Sequence, residues 1–524
     1  MDDMPRRVWL SLGMLATGVA LMVVAQLAGA ARDPTGGIFR VGTTGASVQI
    51  DPQLSYVSTG WWLEYATAAK LYDYRPGGKL VPEVASRFTV SNRGKRYTFF
   101  LRSGFRFSDG TPVTAHNFQY AFDRARSPQL QSPAASLVTN VRGVTARGMR
   151  LVITLRSNKG DMLATLAMPF FQATSTKLPL DREVADVRSI ADLPTAGPYA
   201  FALNDVNRLT SLRRNPYWKR GPGRAAPRNL DGADIQWNLD QQTAFDMVKA
   251  NQLDQGPVPA SEEQGLARQY GVNRSRFWVK PTSSCIGLIV FNNSRNLFRG
   301  NPELRKAVNW ALDRTAYNGP SFTRSPWTHL LPPGQPGSIT NPALQPYAPT
   351  ANLQKAFDLA AGHLRDGRVT VYFRSTGSLN LAQGENVRRA LLYLGFDYDN
   401  IVMKGFPGAE IYDAMGKAGS DFDLAISLGW CADTGAFLPF GGLSPFFPNL
   451  PQFRDKIAAA LRLKGNARAA ALGKLDLDIM KTVAPVAVTN VYNNLYFFSD
   501  RVDPRSLTYH NVYSDWSIPA LALK

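Results

Sequence analysis

One segment stands apart from the rest of this 524-residue chain: after Arg6 and Arg7, the residues from Val8 to Ala31 carry no charge and close on the small triplet Ala28-Gly29-Ala30. A basic start, an apolar middle and an A-x-A end are the parts of a secretory signal peptide, with cleavage expected before Ala31. The run is also long enough to span a bilayer, so an uncleaved anchor helix stays open as the alternative. No Cys lies in it or just after it, which excludes lipidation at a new N-terminal Cys. No later stretch approaches about 18 consecutive apolar residues. Everything beyond the segment must therefore fold in water around its own cores.

Those cores can be large. Hydrophobic residues make up 44% and aromatics 11%, far from a disordered composition, and the length allows two to four domains at about 150 residues each. Lys and Arg number 59 against 40 Asp and Glu, a formal +19. Asp2 and Asp3 cancel Arg6 and Arg7, so the excess belongs to the exported part. Such basicity would suit nucleic acid. Here the basic residues are mostly single, and the densest stretch, Arg213 to Arg228, is broken by Pro, Trp and Gly; no nucleic-acid partner is expected. Two cysteines, Cys285 and Cys431, in an oxidising compartment favour a disulfide, with two buried thiols as the alternative. They lack the neighbouring ligands that a zinc site needs, so neither a metal nor a cofactor is expected.

The pattern from Ile38 onward mixes short β-branched and aromatic runs with helical ones, which reads as α/β. Strands are expected at Tyr97 to Leu101, Phe105 to Phe107, Ala233 to Asn238, Cys285 to Phe291, Val369 to Phe373, Phe422 to Leu428, Val486 to Tyr492 and Leu495 to Phe498. Helices are expected after the cap Thr114 as far as Pro128, and over Gln242 to Ala250, Pro302 to Asp313, Glu385 to Leu394, Arg454 to Leu463 and Ala467 to Met480. The Pro-, Gly- and Arg-rich stretch from Asn215 to Pro227 reads as a loop.

Familiar catalytic parts are missing. The four histidines, His116, His329, His363 and His510, form no H-E-x-x-H pair, and no G-x-S-x-G elbow, S-x-x-K motif or Walker A loop occurs. A glycosidase carboxylate pair is not excluded by spacing, but an exported hydrolase is disfavoured and the expectation is a protein that is not an enzyme.

Four segments together resemble the family 5 extracellular solute-binding proteins, the oligopeptide, dipeptide and nickel receptors of ATP-driven importers, with the oligopeptide type nearest. The first is Leu80-Val81-Pro82-Glu83-Val84-Ala85 with Tyr97-Thr98-Phe99 and Phe107-Ser108-Asp109-Gly110-Thr111-Pro112-Val113-Thr114-Ala115. The second is Thr195-Ala196-Gly197-Pro198-Tyr199 with Arg214-Asn215-Pro216-Tyr217-Trp218. The third joins Phe291-Asn292-Asn293 to the run Leu304 to Arg314. The fourth is Gly429-Trp430-Cys431-Ala432-Asp433. Asp109-Gly110-Thr111-Pro112 is turn chemistry and Asn215-Pro216-Tyr217-Trp218 reads as a packed corner, so functional weight falls on the fourth segment.

The resemblance implies a two-lobed, class II periplasmic-binding fold with an extra subdomain on the first lobe. Lobe I would use 38–75, 190–283 and 488–524, the subdomain 76–189 and lobe II 284–487, with hinge strands near Cys285 and Val486. It implies a monomer that captures a peptide between its lobes in the periplasm or its extracytoplasmic equivalent and delivers it to a membrane permease. A sugar, a metal chelate, another amine or an anchored sensor role are the alternatives. By resemblance, Gly429, Trp430 and Cys431 pair with the ligand backbone and Asp433 takes its ammonium, as a buried cation requires a carboxylate partner. After Asp433 the chain departs from the family pattern, with Thr434-Gly435-Ala436-Phe437. Arg374 is a candidate for a ligand carboxylate, and Trp61, Trp62 and Tyr492 for the cleft lining. The family context adds weight to a Cys285 to Cys431 disulfide.

Overall fold

The computed structural model describes residues 36–76, 78–158, 162–224, 226–375, 378–407, 410–417, 419–431 and 451–524. The expected signal segment and Asp433 lie outside them. Alternating β-branched and aromatic residues assemble one eleven-stranded sheet from β1 (Ile38–Gly42), β2 (Tyr199–Asp205), β3 (Leu209–Arg214), β4 (Gly232–Gln236), β5 (Gln255–Gly256), β6 (Phe277–Phe291), β7 (Arg324–Pro326), β8 (Val369–Arg374), β9 (Ile401–Phe406), β10 (Leu424–Cys431) and β11 (Val486–Phe498). Its order is β9-β8-β10-β6-β11-β5-β1-β4-β3-β2, with β7 added on β11. Two parallel blocks are visible in this order. β1 runs parallel to β4 and β5, and β8 runs parallel to β9 and β10. Between them β10, β6, β11 and β5 pair antiparallel.

The two blocks are joined through β6 and β11, which pair from Phe277↔Phe497 to Val290↔Val486. The register jumps between Pro281 and Ile286, where Pro281 has no N–H to give the ladder. The expected hinge positions and the boundaries at 283/284 and 487/488 fall inside these two strands. The expected break between Val486–Tyr492 and Leu495–Phe498 is absent, because Asn493 and Asn494 pair with Pro281 and Lys280 and carry the ladder through. Phe105 to Phe107 is likewise no strand; its only ladder contact is a single bridge from Arg106 to Pro112. A short C-terminal hairpin, Tyr509–His510 with Asp515–Trp516, was not foreseen.

Along β6, Ile286, Leu288 and Val290 enter one core of the second block, while Ile289 and Phe291 enter the other. Burial on both faces is why this strand reads as a continuous apolar run. The first block shares its core with a separate four-stranded antiparallel sheet built from Ala85–Ser91, Arg96–Leu101, Val141–Arg147 and Arg150–Leu155. Thr114 and Asn117 form a capping box on the helix Ala115–Ala125, and Arg124 from that helix meets Asp51 at 2.8 Å with both side chains fully buried.

The recurring motifs have packing roles. Asp109 accepts from the Thr111 N–H at 3.0 Å, and Gly110, at φ 86°, leaves room for the Tyr217 ring, which a Cβ there would meet at 2.9 Å. Asn215 donates to the Gly197 carbonyl at 3.0 Å. In the third motif, Asn309 donates to the Val486 carbonyl at 3.2 Å and Arg314 to that of Val488 at 2.7 Å, bracing the start of β11. Burial lowers the Arg314 guanidinium to about 10.

Asp423, just before β10, is 3% exposed. It accepts from the Thr370 N–H at 2.8 Å and from Arg295 Nε at 2.9 Å, so it ties β8 to β10. Burial raises its pKa against the pull of those two donors. Replacing it with Ala should lower stability to urea by about 2–3 kcal/mol, since a buried amide and a half-exposed guanidinium lose their acceptor. Wild-type stability in the variant would contradict this role.

Candidate functional site

β11 lies between the two blocks, and the candidate residues sit on either side of it. On the second-block side, β10 pairs with β8 only at Leu424 and Ala425. Beyond Ala425, no described strand pairs with that edge of β10. Ser427, at φ 60°, donates its N–H to the Tyr317 hydroxyl at 3.1 Å and its hydroxyl to Gln383 at 2.7 Å. The strand then runs on through Gly429, Trp430 and Cys431, opposite Gly287, Ile286 and Cys285 of β6. The expected strand ends at Leu428, whereas the observed one continues to Cys431. The cause is the three ladder pairs with β6.

Gly429 is exposed and lies beneath Tyr492 of β11, so a Cβ at Gly429 would stand 3.0 Å from the Tyr492 hydroxyl. Arg324 lies over the Tyr492 ring at 5.6 Å, and Arg374, at the end of β8, lies over Tyr412 at 5.4 Å and donates to its hydroxyl at 3.2 Å. Burial raises the Tyr492 phenol, while Arg324 and Arg374 pull it back. Arg374 has no carboxylate partner among the described residues, and its buried Nε has no acceptor. Three of the expected residues, Gly429, Arg374 and Tyr492, thus share one wall.

On the first-block side, a cavity of about 420 Å³ sits at the ends of β1 and β4 and runs along Asn493 to Tyr496 of β11. That is where an open α/β sheet offers a crevice, outside the carboxyl ends of its parallel strands. Trp62 lines it, and its Nε1 donates to the Trp516 carbonyl at 2.8 Å. Trp61, 4% exposed, faces elsewhere: its ring meets Phe170 edge-on at 5.9 Å. The cavity also receives Tyr513 and Asp515 from the C-terminal hairpin. Burial pushes Asp515 up to about 7 against hydrogen bonds from the Trp516 N–H and the Tyr496 hydroxyl. Sequence reasoning missed Asp515, Asn494 and Gln255; no motif surrounds them, and only the aromatic density of Tyr509 to Trp516 marked the region. Among the described residues no group of three His, Cys, Asp or Glu could hold a metal ion, and no helix is long and apolar enough to cross a membrane.

Residues 79–447 match the bacterial extracellular solute-binding proteins, family 5. This chain belongs to that family. Among its relatives, the glutathione-binding protein GsiB of Escherichia coli (strain K12) is 25% identical over 495 residues, 90% of this chain and 91% of that one. The dipeptide-binding protein DppE of Bacillus subtilis is 26% identical over 214 residues, 37% of each chain. Among solved structures, the clavulanic acid biosynthesis oligopeptide binding protein 2 superposes with a TM-score of 0.76 over 93% of this chain and 96% of that one, at 19% identity. The family 5 chain therefore has the two-lobed, class II periplasmic-binding fold with the extra subdomain.

A Cβ at Gly429 can fit only if Tyr492 moves. Gly429→Ala should cost about 1 kcal/mol of stability in the otherwise native protein, and less when Tyr492 is Phe. A double-mutant cycle by urea unfolding should give a coupling of roughly 0.5 kcal/mol or more. Additive effects would show that the two residues do not touch.

Proposed function

We propose that the protein is exported, captures a peptide between its lobes and delivers it to the membrane permease of an ABC importer. The observation that carries this reading is the edge of β10 beyond Ala425, which no described strand pairs, set beside Arg374, which has no acidic partner among the described residues. An exposed strand edge can take a peptide backbone by strand addition and ignore side-chain identity, and a guanidinium suits the terminal carboxylate. The peptide ligands named for the GsiB and DppE relatives agree with it. In this reading Gly429, Trp430 and Cys431 bond the ligand backbone, Asp433 takes the α-ammonium and Tyr492 covers it. Lobe I comprises 38–75, 190–283 and 488–524, the subdomain 76–189 and lobe II 284–487, while residues 1–30 are the signal peptide. The lobes close by hinge motion at β6 and β11.

The same reading includes a Cys285 to Cys431 disulfide. Directly opposed residues of antiparallel strands hold their Cα atoms about 4.5–5.5 Å apart, inside the disulfide window, and these two are register partners. The bond would lock β6 to β10 beside the ligand edge. Thiol titration of the unfolded, unreduced exported protein should find no free thiol; two would refute it.

Trialanine and its Nα-acetyl form test the ammonium site by calorimetry. Asp433→Asn should lose roughly 2–5 kcal/mol of trialanine affinity, nearly as much as Asp433→Ala, and Nα-acetylation should cost wild type a similar amount. Asp399→Asn, at an exposed acid, is the control. Binding by Asp433→Asn within about threefold of wild type, under roughly 0.7 kcal/mol, would dismiss that role.

A further inference from the structure

The first-lobe cavity has an unusual balance of hydrogen-bonding groups. Asn494 Nδ2 donates to the Ser514 carbonyl at 2.8 Å and to the Tyr496 hydroxyl at 3.0 Å, and Asn493 Nδ2 donates to the Phe322 carbonyl at 2.8 Å. Those carbonyl partners orient both amides, and neither Oδ1 receives a donor among the described residues. Gln255 is 8% exposed, and its buried Oε1 also lacks a partner. The indole N–H groups of Trp62 and Trp237 are engaged by the Trp516 carbonyl and Thr210 Oγ1. Among the described residues, three amide oxygens of the lining are acceptors without donors.

Charge points the same way. Among the described residues Asp515 is the single charged side chain of the cavity lining, with no Lys or Arg beside it, although the whole chain carries +19. The helix Ser58–Thr67 starts at the rim without a side-chain cap, but its partial positive end is smaller than a full carboxylate charge. Trp62, Trp237, Tyr496 and Tyr513 supply aromatic surface, the usual company of a bound cation.

We propose that this cavity is a subsite for a cationic group of the ligand, an ammonium or guanidinium, held by Asp515 with Gln255 and Asn494 as acceptors. The proposal rests on the peptide-binding reading and adds that a basic side chain is preferred. It is separate from Asp433, because the α-ammonium is common to all unblocked peptides and a side-chain charge is not.

The carboxylate must be ionised to hold a cation, and without one it titrates near 7, so affinity for a basic peptide should fall from about pH 8 to about pH 6. The groups facing Asp515 do not change charge in that window. Tyr496, Tyr509 and Tyr513 are raised by burial, and His510, next to Tyr513, is lowered to about 4 and stays neutral. Lys280 stands over the Trp516 ring at 5.9 Å.

Six tripeptides, trialanine with one lysine or one norleucine at each position in turn, test the proposal by calorimetry on wild type, Asp515→Asn and Asp515→Glu. Norleucine keeps the alkyl chain and removes the charge. At one position or more, wild type should bind the lysine peptide at least about tenfold tighter. Asp515→Asn should reduce that preference to within about threefold and leave norleucine peptides unchanged, while Asp515→Glu should keep it. Equal binding of lysine and norleucine peptides at every position, a preference that survives in Asp515→Asn, or loss of all six peptides alike in that variant would overturn it. If no peptide binds wild type, the peptide reading fails and agmatine becomes the probe. Agmatine bound by wild type but not by Asp515→Asn would keep the cation subsite, and no binding by wild type would end it.

Discussion

The antiparallel pairing of β6 with β11 is the constraint on which the rest depends. These strands run through both halves of the sheet, from Phe277↔Phe497 at the first block to Val290↔Val486 at the second. Their far ends are anchored differently. At the second block, Ile286 to Phe291 are buried on both faces and Arg314 and Asn309 grip the carbonyls of β11. At the first, Phe277 and Phe497 close a small apolar cluster with Phe245. One of the two register irregularities, from Pro281 to Ile286, lies between these anchors. A hinge needs that arrangement: firm packing on either side and a short stretch of ladder that can change its angle.

The same pair of strands also organises the chemistry of the cleft. β6 supplies the partner strand that holds β10 with its outer edge open, and β11 carries Tyr492 to one wall and Asn493 to Tyr496 to the other. Two guanidinium groups, Arg324 and Arg374, gather around Tyr492, whereas the opposite cavity holds a carboxylate and unpartnered acceptors. In the proposed reading, one side would meet anionic and the other cationic groups of the ligand. Closure would strengthen both halves by removing water from between the charges.

Much of the fold was legible because its elements are locally consistent. The capped helix after Thr114, the strand at Val369 and the helix at Pro302 each follow from caps, β-branched runs or apolar spacing, and the observed bounds differ by a residue or a few. The failures have tertiary causes. Asn493 and Asn494 look like a turn, yet ladder partners in β6 hold them in a strand. Phe105 to Phe107 looks like a strand, but only Arg106 has a bridge partner. Asp423 reads as a surface or structural acid; its two donors come from residues distant in sequence and bury it. Of the expected site residues, Gly429 was named by family likeness and Arg374 by its place at a strand end, and both lie near Tyr492. Asp515 was not found, because a lone carboxylate carries no local signature and its meaning comes from six other chain segments converging on one cavity.

The central claim is that this cleft carries a peptide, and the mass of what co-purifies tests it most directly. Native mass spectrometry of the protein recovered from its own compartment, followed by fragmentation of the released ligand, should give a species that breaks into amino-acid residues and bears a free amine. A bound molecule without a peptide bond, recovered in stoichiometric amount, would contradict the account.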